Sequence, residues 1–326
     1  MRYSYPFTQP TTMKAYLRIA RFDHWIKQLF VLPGAFFALP LTDASTQLRG
    51  AALVKAILLG LAATCLVASA NYVINEWLDA EFDRFHPTKK HRAVVSEDLK
   101  PAFILLWYLL FVALGLGLGA LAGRPVFFME ALLLVMGLLY NVKPIRLKDV
   151  PYADVLSESV NNAIRLIIGW VCVSPTLLPP SSVILGYWMG GAYLMGIKRF
   201  AEYRMIGDSQ LAGQYRKSFK YYHEVSLLTS SFFYAMLSVF CMGVFMIKYR
   251  IEFLILIPFL CGLFCLYLQI SYKPDSAVQK PEKLYRERGL LLYAAFIVAL
   301  FVVLMYVRIP TLDAFAENRF IAFPGK

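Results

Sequence analysis

Charge is what this chain has least of. Only 17% of its 326 residues are Asp, Glu, Lys or Arg, against 59% hydrophobic, where an ordinary soluble domain carries about a quarter charged residues. That shortage excludes a soluble enzyme. Long apolar runs recur along the whole length and imply a polytopic helical membrane protein. Cysteine chemistry is lacking too: Cys65, Cys172, Cys241, Cys261 and Cys265 all sit inside apolar runs, with no CxxC pair and no histidine beside them. Disulfides and zinc are therefore not expected. The first ~23 residues are polar, without the apolar core and cleavage site of a secretory signal, so the first span is expected to direct its own insertion. The net charge of +12 raises nucleic acid as a partner. The bases form no stripe but sort by loop, as the positive-inside rule requires, so no nucleic-acid partner is expected.

Hydropathy places nine spans, at 26–42, 53–74, 101–122, 125–140, 154–173, 182–197, 225–247, 251–272 and 289–308. With the N-terminus in the cytoplasm, roughly three quarters of the 33 lysines and arginines fall on that side. The loops 75–100, 198–224 and 273–288 on that side are long and polar, whereas the outer connections are short. Function is thus expected to face the cytoplasm, in a bacterial inner membrane. The expected organisation is a cytoplasmic segment (1–25), a transmembrane domain of nine helices around a central polar-mouthed cavity (26–308) and a tail (309–326).

One polar stretch follows the second span. Asn71, Asn75, Asp79 and Asp83 are spaced by four, so a continuing helix lines them along one face. His86-Pro87 is expected to end that helix and turn Lys89, Lys90 and Arg92 back toward the acids. Two carboxylates one turn apart hold Mg²⁺ through one or two oxygens while phosphate oxygens complete its shell, and the bases suit the outer phosphate oxygens. The alternative reading is a solvated juxtamembrane helix with a basic anchor.

Three further constellations stand near membrane ends. Asp154, Glu158, Asn162 and Arg165 share a face of the fifth span, where charge is retained mostly to line a cavity or meet a partner. They either bind substrate or form an internal seam; in both cases the face points into the bundle. Tyr140, Lys143, Arg146 and Lys148 close the fourth span and suit phosphate, or else set topology and an interfacial aromatic. Lys198, Arg199 and Glu202 leave the sixth span near one face and either hold a second anion or pair internally. Glu130 and His24 have no spacing partners and are expected in structural roles.

The Asn75-xxx-Asp79-xxx-Asp83 pattern after the second span resembles the NxxxDxxxD signature of the UbiA superfamily of intramembrane prenyltransferases. The nine-span layout, the Tyr140–Lys148 loop and the Asp154/Glu158 pair fit the same family, over roughly residues 20–305. The resemblance implies that Asn75, Asp79 and Asp83 hold Mg²⁺ and a diphosphate, with Asp79 and Asp83 catalytic, beneath a cavity that takes a polyprenyl lipid. Position 76 is Glu where many members have Asp. The usual second aspartate-rich motif is replaced by Lys198-Arg199-xx-Glu202, with Asp208 farther on. That replacement, with the Asp83-to-Arg92 segment, is more similar to the polyprenyl-phosphate phosphoribosyltransferase branch, whose donor and lipid phosphate call for extra cations such as Lys198, Arg199 and Arg165.

The leading expectation is therefore a Mg²⁺-dependent membrane transferase moving 5-phosphoribose from a diphosphate donor to a polyprenyl phosphate. The first alternative is prenyl transfer from a prenyl diphosphate to an aromatic or other acceptor. A lipid transporter or flippase using the polar face of the fifth span is a different class, and a non-catalytic scaffold is a third. Membrane lipids surround the chain in every case, and the oligomeric state is left open.

Overall fold

Apolar length decides where the helices run. In the computed structural model, which describes residues 13–84, 92–97, 99–207, 209–274, 276–279, 284 and 286–313, α1 (Met13–Ile19) leads into a 3-10 stretch at Phe22–Val31 and then α2 (Leu32–Leu41). Next come α3 (Gly50–Asp83), α4 (Ala93–Ser96), α5 (Pro101–Ala122), α6 (Arg124–Asn141) and α7 (Ala153–Val173). The chain continues through α8 (Ser181–Ile206), α9 (Ser209–Tyr215), α10 (Glu224–Tyr249), α11 (Ile257–Ser271) and α12 (Arg288–Tyr306). No strand occurs among the described residues. The all-α class is as expected.

Six described helices are long and apolar enough to cross a membrane: Gly50–Asp83, Pro101–Ala122, Arg124–Asn141, Glu224–Tyr249, Ile251–Ser271 and Arg288–Tyr306. The segments expected as spans at 26–42, 154–173 and 182–197 are helical but do not join them. In the first, Pro33 lacks the N–H that would carry an α-helix through it, so α2 starts at Leu32 and is only ten residues long. In α7 the apolar run is interrupted by Asp154, Glu158 and Arg165, and α8 ends in Lys198, Arg199, Glu202 and Arg204. Pro258 likewise divides the eighth segment into a 3-10 turn (Ile251–Leu256) and α11.

At 34 residues, α3 measures roughly 50 Å, against an apolar layer of about 30 Å. Its last turns, carrying Asn75 to Asp83, therefore extend beyond that layer. Flanking it are α5 and α6, while α8 lies along α10 and the central α7 touches α2, α3, α6 and α8. The α2–α7 contact is backbone on backbone. A Cβ on Gly34 would fall 1.8 Å from the Leu166 carbonyl oxygen, and one on Gly169 would fall 1.9 Å from that of Val31. Only glycine fits at either position.

Outward faces carry Leu106 and Leu109 on α5, Phe232 and Phe240 on α10, and Leu292 and Val298 on α12, all exposed and suited to a lipid cover. Inside, the Thr64 hydroxyl donates to the fully buried Glu130 carboxyl, which matches the structural role expected for that residue.

Substituting Gly169 by alanine should destabilise the fold by about 1–3 kcal/mol, the usual cost of overpacking. Gly117, with nothing within 4 Å of its notional Cβ, should accept alanine without loss. Thermal unfolding of both variants in detergent checks the contrast.

Candidate active site

The C-terminal end of α3 presents one polar face. Asn75, Asp79 and Asp83 follow one another at four-residue steps, and Tyr72 and Glu76 lie on the same side of the helix. Asp79 meets the loop after α6, where Arg146 Nη2 lies 2.8 Å and Lys148 Nζ 2.5 Å from its Oδ1. That loop reaches back because Arg146 adopts a left-handed backbone (φ 35°), a conformation costing of order 1–2 kcal/mol for a side-chain-bearing residue. Side-chain bonds from the same loop hold it there. Arg146 Nη1 donates to the Asn141 carbonyl at 3.0 Å, and the guanidinium lies 4.9 Å from the Phe82 ring centroid. Asn141 is the knot: its Oδ1 accepts from Lys148 at 2.7 Å and also from the Asn75 amide.

Asp83 accepts from Arg92 Nη1 at 2.7 Å, and Arg92 Nε stands 3.5 Å from Glu76. Asp79, Asp83, Arg146, Lys148 and Arg216 together line a narrow cleft. Burial, with Arg146 beside it, pushes the Lys148 ammonium down to about 8, while the Asp79 carboxylate opposes that fall.

A second group lies alongside, centred on Arg199, which is 2% exposed. Its Nη2 donates to Glu158 at 2.8 Å, its Nη1 is 3.3 Å from Glu202, and its Nε is 3.4 Å from Asp154. Asp154, fully buried, also accepts from Tyr222 Oη at 2.6 Å and Ser218 Oγ at 3.2 Å. Tyr140 Oη donates to Glu158 at 2.8 Å. Arg216 joins the two groups: it lines the cleft, reaches Tyr140 Oη at 3.4 Å and stands 3.7 Å from Asp154.

The candidate residues thus divide. Asn75, Asp79, Asp83, Arg92 and Lys148 form the first group, while Tyr140, Asp154, Glu158 and Arg199 form the second. Lys198, half-buried, stands within electrostatic reach of Glu158. The shared face expected for Asp154 through Arg165 points inward but splits in use. Arg165 Nε donates to Gln28 at 2.7 Å and its Nη1 to Asn162 at 3.2 Å, so both turn toward the 3-10 stretch. Lys143 is exposed and joins neither group. Lys89, Lys90 and the expected His86-Pro87 turn, like Asp208, lie outside the described residues. Asn141, Arg216 and Tyr222 carry central contacts that spacing did not single out. Arg216 was visible only as one base among several in the 198–224 loop.

Among the described residues no three His, Cys, Asp or Glu side chains converge to hold a metal alone. Two carboxylates on one cleft wall nonetheless suit Mg²⁺, which binds through one or two protein oxygens and takes the rest from phosphate.

A family model described as the UbiA prenyltransferase family matches residues 29–294. The chain belongs to that family. It is an integral membrane protein of the UbiA fold. Its relatives include a decaprenyl-phosphate phosphoribosyltransferase of Corynebacterium glutamicum, 25% identical over 209 residues, covering 63% of this chain and 59% of the relative. The same enzyme of Mycobacterium tuberculosis is 26% identical over 219 residues, with 66% and 68% covered. An uncharacterised protein of Sinorhizobium fredii is 27% identical over 49% of this chain, and this chain spans only 29% of that protein's length. In structure, a UbiA homolog from Archaeoglobus fulgidus bound to GPP and Mg²⁺ superposes with a TM-score of 0.66 at 19% identity, over 90% of this chain and 100% of that one. At that identity the likeness establishes the fold alone.

Replacing Arg199 with methionine should cost about 3–5 kcal/mol, because Asp154, Glu158 and Glu202 would face one another around an apolar side chain. The exposed Lys143→Gln should stay within about 0.5 kcal/mol of the parent. Unfolding midpoints compared at one pH give the test.

Proposed function

We propose that this UbiA-family protein transfers a 5-phosphoribosyl group from a diphosphate donor to a polyprenyl phosphate. The observation that carries the reading is the cation-rich mouth: Arg92, Arg146, Lys148 and Arg216 beside Asp79 and Asp83, with Arg199 where a second acidic motif would stand. The kinship to two decaprenyl-phosphate phosphoribosyltransferases supports the same subtype.

In this transfer the bond from the ribose anomeric carbon to the diphosphate oxygen breaks, and its electron pair leaves with diphosphate. A lone pair on an acceptor phosphate oxygen forms the new bond to that carbon. The phosphate oxygen is already anionic, so no proton has to be removed and the site needs positive charge more than a base. Asp79 and Asp83, with Asn75, would hold Mg²⁺, which when bound neutralises charge on the leaving diphosphate. Arg146, Lys148, Arg92 and Arg216 are the donors for the remaining phosphate oxygens, pre-oriented and partly withdrawn from water. Asp154, Glu158 and Glu202 act through Arg199, fixing its guanidinium. Nine crossings over residues 26–308, with the N-terminus and this mouth on the cytoplasmic side of a bacterial plasma membrane, complete the proposal.

Purified protein with Mg²⁺ should release diphosphate and form product from labelled phosphoribosyl diphosphate and polyprenyl phosphate. Asp79→Asn and Asp83→Asn should each lower turnover by at least about 100-fold while leaving the unfolding midpoint measurable. Product from a prenyl diphosphate alone would overturn the subtype in favour of prenyl transfer. Full turnover in both Asn variants would refute the metal-site assignment, and lipid flux without diphosphate release would identify a transporter.

A further inference from the structure

Where α3 runs along α6, a row of amides joins the two helices. Asn71 Nδ2 donates to the Leu133 carbonyl at 3.0 Å, and farther along the same face Asn75 meets Asn141, the last residue of α6. The Asn141 amide has only one orientation that satisfies its surroundings. It is 2% exposed, its Nδ2 donates to the Gly137 carbonyl at 2.8 Å, and Lys148 Nζ lies 2.7 Å from its Oδ1. A backbone carbonyl only accepts and an ammonium only donates. Turning this amide over would set acceptor against acceptor and donor against donor. Its fixed oxygen then decides the next amide. Asn75 approaches the same Oδ1, so it must present its NH₂ there and carries its own Oδ1 on the other side. Among the described residues nothing bonds that oxygen, and Asn75 is half-buried. Asp79, one turn on, is divided in the same way: Arg146 and Lys148 both meet its Oδ1, and among the described residues Oδ2 has no partner. Asn75 Oδ1 and Asp79 Oδ2 are thus the oxygens that the internal network leaves over, one helical turn apart on α3.

We infer that Asn141 is a positioning residue that fixes the Asn75 amide with its oxygen outward, so that Asn75 Oδ1 and Asp79 Oδ2 together serve a divalent cation bearing diphosphate. Mg²⁺ takes oxygen ligands. An inverted Asn75 amide would remove one of them and set two N–H groups against a cation. Residues that orient a metal's own ligands typically govern its affinity by roughly 10–100-fold. Four-residue spacing brings Asn75 to the right face of α3, but which end of its amide points outward is set from α6. The cation and its diphosphate rest on the proposed function, in the part shared by phosphoribosyl and prenyl transfer; the amide assignment rests on the bonds alone.

Equilibrium dialysis of Mn²⁺ against the full chain in detergent, with inorganic diphosphate present, tests this without turnover. Asn141→Leu should weaken Mn²⁺ binding roughly tenfold or more. Asn141→Asp, which keeps an acceptor for both Asn75 and Lys148, should bind close to the parent. In Asn75→Asp the two carboxylate oxygens are equivalent and no wrong face exists. Adding Asn141→Leu to that background should therefore change binding by less than about twofold, the margin expected of independent sites. If Asn141→Leu does not fold, Asn141→Ser, too short to span to Asn75, replaces it in both backgrounds. Parent-like binding by Asn141→Leu, or an equal loss in both backgrounds, would overturn the inference, as would an Asn141→Asp protein as weak as Asn141→Leu. Parent-like binding by Asp79→Asn would instead sink the metal site of the proposed function. Asn141-dependent Mn²⁺ binding with no phosphoribosyl product would overturn the proposed reaction and leave the positioning role standing.

Discussion

A charge withdrawn from water costs several kcal/mol unless an opposite charge meets it with good geometry, and the polar end of this bundle is built to satisfy that constraint. Arg199 answers Asp154, Glu158 and Glu202 at once, and Arg216 carries the pairing across to the Asp79 cleft. Because Asp154 and Glu158 sit on α7, Arg199 and Glu202 on α8 and Arg216 just beyond α9, satisfying the charges also fixes how α7, α8 and the segment after α9 meet. Packing of apolar side chains alone would leave that end free to slide.

The same arrangement has a chemical sense. Donors that are ordered before a ligand arrives need no reorganisation when charge builds on a leaving group. Asn141, by accepting from both Asn75 and Lys148, ties the amide and the ammonium to one oxygen beside Asp79. The carboxylates of the second group are spent on guanidiniums. An acceptor whose attacking oxygen is already ionised suits such a mouth better than a hydroxyl that must lose its proton.

Much of this was legible beforehand. Four-residue spacing after an apolar run put Asn75, Asp79 and Asp83 on one face, and the structure continues α3 through them. Charges interrupting the fifth span marked an inward face, which Asp154 and Glu158 occupy. What could not be read was pairing between distant elements. Arg216 is 62 residues from Asp154 in the chain, and no local period links them. Arg165 shares a helical face with Glu158 but bonds Gln28, because the 3-10 stretch crosses α7 at that depth. His24 was set aside for a subtler reason. Its contacts, Arg21 and Lys27, stand three residues to either side, a period that matters only once the backbone is known to be 3-10.

Gly34 and Gly169 carry no polar side chain of their own, yet their contact sets a datum for the charged side chains along α7. Two backbones touching without an intervening side chain have no slack to absorb a shift along either axis. From Gly169 to Glu158 is 11 residues of α7, roughly 16 Å of rigid helix, and the 3-10 stretch rides on α2 from the other side. The positions of Asp154 and Glu158 along α7 and of the 3-10 stretch ahead of α2 are thus measured from one point. The protein keeps α7 and the 3-10 stretch in gauge by a joint with no side chain between the two backbones.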